Sequence, residues 1–156
     1  MRILLPLFAA LLCSCAPDPG EQAPPAADAA PAASDAPAIR DAWVRPVPPG
    51  ARMTAGYLSL HNPGPEPLVV VGVESPLFGS IEMHGTAVED GMARMRHQET
   101  VIVAPGETVR FEPGGLHLML MQAAEEIPAS GTIELSLLLE GGERLDFAAP
   151  VGQPGG

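Results

Sequence analysis

Cysteine is scarce in this sequence: there are two in 156 residues, Cys13 and Cys15, and both fall within the first fifteen positions. The rest of the chain therefore has no disulfide, no thiolate metal ligand and no cysteine nucleophile. A blue-copper electron-transfer centre, which is built around a Cys thiolate, is excluded with them. Lysine is missing from residues 39–150, where seven Arg stand against fifteen Asp and Glu, a formal charge of −8. That balance argues against nucleic acid or an anionic membrane surface as a partner and suits a cationic ligand. Helical periodicity over three turns is also missing beyond the N-terminus. Pro-Gly and Asn-Pro-Gly breaks come too often for long helices. No Ser-His-Asp arrangement and no cluster suggesting a catalytic zinc is present, so an enzyme is the least supported class.

The N-terminus carries an export signal. Residues 1–15, MRILLPLFAALLCSC, combine a positive start, a short apolar run and a small residue before a Cys. This is the pattern of a secretory signal, and the apolar run is short of the roughly 20 residues that span a bilayer. Leu12-Cys13-Ser14-Cys15 resembles the bacterial lipobox, with Cys15 the lipidated residue. The mature chain is then expected to be a periplasmic lipoprotein held to a membrane by acyl chains. Ala16 after the Cys favours the outer over the inner membrane. Residues 16–38 are rich in Ala, Pro and acids and poor in core-forming side chains, so they read as a disordered tether. Residues 151–156, VGQPGG, read as a frayed end. The folded domain is expected over residues 39–150.

Within that domain, ten short apolar or alternating runs recur between turn signals. They are Ala42-Val44, Gly56-Leu60, Leu68-Val73, Ser80-His84, Met92-His97, Thr100-Val103, Thr108-Phe111, Leu116-Met121, Thr132-Leu139 and Leu145-Ala148. Regular short strands of this kind predict an all-β sandwich or barrel. Trp43, the only Trp, is expected to anchor its core.

Two segments carry chemistry. In Leu116-His117-Leu118-Met119-Leu120-Met121, side chains alternate between faces if the run is a strand. The three Leu then face a core, and His117, Met119 and Met121 share the opposite face. The second segment runs from Ser80-Ile81-Glu82-Met83-His84 through Glu89-Asp90-Gly91 to Met92-Ala93-Arg94-Met95-Arg96-His97, and Asp-Gly predicts a hairpin. With Glu89-Asp90 as the loop, His84 lies directly opposite Met95. With Asp90-Gly91 as the loop, the two are diagonal neighbours on one face. Two half-sites of one His and one Met each suggest a single metal site. Thioether is soft and imidazole borderline, which favours Cu(I) over Zn(II), Mg(II) or Ca(II). Outside the cytoplasm a thioether also resists loss by oxidation better than a thiolate does.

The spacing His84-x10-Met95-x21-His117-x-Met119 resembles the ligand signature of the PCu(A)C family of periplasmic copper chaperones. Ala42-Trp43-Val44-Arg45 with Pro48-Pro49-Gly50, Ala55-Gly56-Tyr57-Leu58, and Pro113 to Met121 look like that family's opening and ligand-bearing strands, so the likeness covers nearly all of residues 39–148. The resemblance implies a cupredoxin-like Greek-key β-sandwich with a Cu(I) site near its surface, whose ligands are His84, Met95, His117 and Met119. It also implies copper delivery toward the CuA centre of a cytochrome c oxidase subunit, or hand-over to another copper chaperone. Many members have Met after the first His, where this chain has Gly85, and some carry a His- and Met-rich tail, whereas VGQPGG contains neither residue.

The remaining candidates read as structural. His61 is expected to be a hydrogen-bonded surface residue, and His97, one strand step beyond Met95, is expected at the surface in preference to a place supporting the ligands. Met53 and Met83 read as core filler, and Met92 as facing away from Met95. Met121 either shields the site or serves as a spare ligand. Two other functions stay open on the residues alone: a copper buffer or resistance protein that only sequesters the ion, and a non-metal immunoglobulin-like adhesion or assembly module.

Overall fold

A computed structural model describes residues 36–89 and 91–152. The signal, the lipobox and most of the expected tether lie outside the described residues, as do Asp90 and the last four positions.

Ten strands form, one for each run picked out by its pattern. They are β1 (Ala38–Val44), β2 (Thr54–His61), β3 (Leu68–Glu74), β4 (Phe78–Glu89), β5 (Met92–Gln98), β6 (Val101–Val103), β7 (Thr108–Phe111), β8 (His117–Ala123), β9 (Thr132–Leu139) and β10 (Arg144–Pro150). No helix occurs among the described residues. One sheet has the order β1-β2-β8-β4-β5, with β7 also paired to β2, and the other has the order β10-β9-β3-β6. Strand pairing continues past Pro150. Val151 bridges Val44 and donates its N–H to the Gly131 carbonyl at 2.8 Å, and the Gly152 N–H donates to the Val44 carbonyl at 2.9 Å.

Alternation decides which side chains the sandwich buries. Leu58 and Leu60 of β2, Leu118 and Leu120 of β8, and Val44, Val70, Val103 and Leu137 are fully buried between the sheets. Leu116, just before β8, packs against this cluster half-buried. The intervening residues of β2 and β8 consequently point to the opposite face, the outer surface of the larger sheet.

Trp43 departs from expectation. Its pairing with Tyr57 places it on that outer face, because Val44 takes the core position. There it packs on Tyr57 with ring centroids 4.4 Å apart. Asp41, with φ +52°, lies in the irregular stretch of β1 between Arg40 and Trp43, where the register against β2 shifts. A bulge of this kind re-aims the residues that follow it.

The β4–β5 hairpin selects one of the two loops its sequence offers. Glu89 pairs with Met92 and Gly91 has φ +77°. A two-residue hairpin loop demands positive φ, which Gly adopts without a Cβ penalty. Placing Gly91 in the ladder and Glu89 in the turn would reverse that advantage.

Three stability measurements follow. Leu120→Ala opens a cavity at the centre of the sandwich and is expected to cost about 2–5 kcal/mol, read from the urea midpoint at unchanged slope. Gly91→Val forces a β-branched residue into the left-handed region and is expected to cost at least roughly 1–2 kcal/mol. By contrast, Gly85→Ala adds a Cβ at ordinary contact distance from Gln98, 3.4 Å at the nearest atom, and should leave the midpoint almost unmoved.

Candidate metal centre

Strand β4 runs between β8 and β5, and His84 lies at the crossing point of both pairings. It is opposite His117 on β8 and opposite His97 on β5. Three imidazoles therefore stand in a row across three strands, on the face away from the leucine core. Directly opposed side chains have Cβ atoms about 4.5–5.5 Å apart. The His84 ring centroid is 6.0 Å from that of His117 and 5.8 Å from that of His97.

The methionines occupy diagonals. Met119 lies opposite Glu82 and Met95 opposite Thr86, so each is one pairing step from His84, in opposite directions along β4. Such diagonals put Cβ atoms about 7–8 Å apart, within reach of a long side chain. Of the two registers the sequence allowed, the direct opposition of His84 and Met95 is thus corrected, and the diagonal one holds. Met121 is opposite Ser80, two steps beyond the histidine row. Successive outward residues on one strand are roughly 6.6 Å apart, which removes Met121 from the immediate surroundings of His84.

Exposure falls steadily across the face. Met95 on the edge strand is 63% exposed, and His97 is exposed as expected. The His84 side chain retains 20% of its accessible surface, Met119 is half-buried, and His117 retains 7%. His117 is positioned by the turn before β8. Gly114 has φ +83°, and the Gly115 N–H donates to the Glu112 carbonyl at 3.1 Å. The Gly115 carbonyl then accepts from the Thr86 N–H at 3.2 Å and from His117 Nδ1–H at 3.0 Å. A ring nitrogen that donates its proton fixes the tautomer and leaves the other nitrogen with a lone pair. His117 Nε2 is that nitrogen. His84 Nε2–H donates to Glu82 Oε2 at 2.8 Å, while His84 Nδ1 is buried with no hydrogen-bond partner.

An orphaned, buried ring nitrogen is costly unless something coordinates it, about 1–3 kcal/mol for an unsatisfied polar atom. Two imidazoles bound to one ion at about 2 Å each hold their centroids roughly 6 Å apart or less, and the His84–His117 distance meets this. No group of three or more His, Cys, Asp or Glu side chains placed to hold a metal ion is found among the described residues. A soft ion has the two adjacent imidazoles with a thioether on either flank, and the donor set fits Cu(I).

Other candidates resolve as follows. His61 Nδ1 lies 3.1 Å from both the Glu107 carbonyl and Thr108 Oγ1, a satisfied surface histidine. Met83 is buried in the core, whereas Met53 is 52% exposed and fills no core space. Met92 pairs with Glu89, three residues from Met95, and falls on the opposite face. Gly85 lies one residue from His84 and therefore on the other face too, toward Gln98, so a side chain there would not join the histidine row. Glu82 was not singled out by sequence. Its signal was the i, i+2 spacing from His84, which puts both on one face of a strand.

A family model described as "Putative lipoprotein LpqE-like" matches residues 37–151. A protein of Leifsonia xyli subsp. xyli named "Putative lipoprotein Lxx21020" is 32% identical over 111 residues, 70% of this chain and 66% of its own length. Among solved structures, the copper-bound PCuAC domain from PmoF2 superposes with a TM-score of 0.63 at 23% identity, over 76% of this chain and 93% of that one. Two solution structures of DR1885 from Deinococcus radiodurans also match. The apo form has a TM-score of 0.59 at 30% identity, covering 90% of this chain and 95% of that one, and the Cu(I) form has 0.58 at 31%, covering 74% and 77%. The expected all-β, cupredoxin-like sandwich is therefore the fold observed, and the chain belongs to the LpqE-like lipoprotein family, with the architecture of a PCuAC domain.

Proposed function

We propose that this protein is a copper chaperone of the bacterial cell envelope, binding one Cu(I) with His84, Met95, His117 and Met119 and passing it on by ligand exchange. The observation that carries this reading is the paired presentation of His84 and His117, with ring centroids 6.0 Å apart, one ring held so that Nε2 is open and the other with its Nδ1 buried and unpartnered. Thioethers flank the pair on both diagonals. The Cu(I) form of DR1885, 31% identical, supports the choice of ion and oxidation state.

The gradient of exposure suggests an order of events. His84, His117 and Met119 form the inner set. Met95 extends from the exposed edge strand on a side chain with three rotatable bonds, and it can swing onto or off the ion. An incoming acceptor ligand displaces Met95 first, so copper is never released free. All four ligands are neutral, which keeps each bond modest and exchange facile. The acceptor we favour is the CuA-bearing subunit of a cytochrome c oxidase, or a second copper chaperone upstream of it. The acidic surface would steer a basic acceptor. An acyl anchor on Cys15 and the Ala/Pro-rich segment behind it would keep the domain near the membrane while extending its reach, on the outer membrane in preference to the inner.

Anaerobic competition with a chromophoric Cu(I) chelator tests the site. One tight equivalent is expected. The His117→Ala plus Met119→Ala double variant should lose it, and Met95→Ala should weaken it less than His117→Ala does, by roughly tenfold or about 1.4 kcal/mol. Binding unchanged in the double variant would sink the assignment of these ligands. Transfer to an apo CuA domain separates chaperone from buffer. A chaperone loads the acceptor faster than chelated copper at equal free ion concentration, and its gene deletion impairs oxidase assembly. A buffer does neither, and its deletion causes copper sensitivity alone.

A further inference from the structure

The two histidines differ in which nitrogen is free, and the difference has a source on each strand. A carboxylate and a backbone carbonyl can only accept hydrogen bonds, whereas a neutral imidazole has one donor and one acceptor nitrogen. The Gly115 carbonyl at 3.0 Å therefore sets the proton of His117 on Nδ1. The Glu82 carboxylate at 2.8 Å sets the proton of His84 on Nε2. What remains is His117 Nε2 on one ring and His84 Nδ1 on the other. The latter is the buried side-chain polar atom left without a partner among the described residues.

We infer that Glu82 is a positioning residue of the copper site: it locks His84 in the Nε2–H tautomer so that the ion is bound through His84 Nδ1 and His117 Nε2. The inference rests on the copper reading above. The mixed pairing suits the geometry. Opposed residues on neighbouring strands start from nearly equal heights on the sheet. Binding one ring through its near nitrogen and the other through its far nitrogen lets the rings meet the ion edge to face, in keeping with their interplanar angle of 61°. Glu82 is also opposite Met119 on the same face, so the carboxylate stands between the two proposed ligands it adjoins.

The test uses the full-length, unacylated chain labelled with 15N, observed through long-range couplings of the imidazole nitrogens at a pH where both rings are neutral. In the apo protein His84 should show a protonated Nε2 and a bare Nδ1, and His117 the reverse. Glu82→Ala should return His84 to an averaged tautomer mixture and weaken Cu(I) binding by roughly 10- to 100-fold, the usual cost of losing a group that orients a metal-bound His. Glu82→Gln, whose amide oxygen still accepts, should keep the tautomer and most of the affinity. Anaerobic Cu(I) addition should move the Nδ1 resonance of His84 and the Nε2 resonance of His117. A His84 found in the Nδ1–H form, a tautomer indifferent to Glu82→Ala, or copper moving Nε2 of His84 would overturn this inference while leaving the copper site intact. Copper moving neither imidazole would overturn both readings together.

Discussion

Strand β4 is hydrogen-bonded on both flanks, to β8 on one side and to β5 on the other, and the two registers share His84 as their common point. Every distance in the candidate centre descends from that double pairing. A slip of one residue in either ladder would turn a complete set of side chains to the other face. Such a slip is opposed on one side by Leu118 and Leu120, which have no exposed surface and nowhere else to go. It is opposed on the other by Gly91, whose positive φ fits the turn and would be wasted in a strand. The apolar core thus holds the candidate face in place without contributing an atom to it.

This division of labour explains why so much of the centre is built from ordinary components. His117 is oriented by a backbone carbonyl in a Gly-Gly turn, and His84 by a carboxylate two residues away on its own strand. The four side chains proposed as ligands are all neutral. On the proposed reading, preference for a soft ion comes from the two thioethers beside the imidazoles.

The ten strands were legible because turn residues punctuate the sequence at short intervals, and period-two alternation in residues 116–121 gave the core face and the outer face of β8 directly. Parity along a strand is a local property, and local properties survive into the fold. Register is a relation between strands. Glu89-Asp90 and Asp90-Gly91 both make acceptable two-residue loops on paper, so the exact neighbours of His84 were left to the turn. The place of His97 directly opposite His84 follows from that choice. Trp43 was misplaced for a related reason: the irregularity in β1 shifts the pairing, and no side-chain pattern announces a bulge. Met53 illustrates that a methionine in a loop has no periodicity to locate it, whereas Met83, flanked by strand residues, does. The N-terminal export and lipidation signals are read from the sequence alone, since they lie outside the described residues.

Strand β5 is paired on one side only and exposed along nearly its whole length, yet it carries Met95 and His97. Strands of this kind open in local fluctuations far cheaper than global unfolding, and their amides exchange with solvent while the interior stays closed. The outer half of the centre therefore belongs to a less stable cooperative unit than the inner half. On the proposed reading, substitutions in the hairpin retune how firmly copper is held without drawing on the stability of the sandwich. Selection can thus adjust retention and release on one unit while the other preserves the fold.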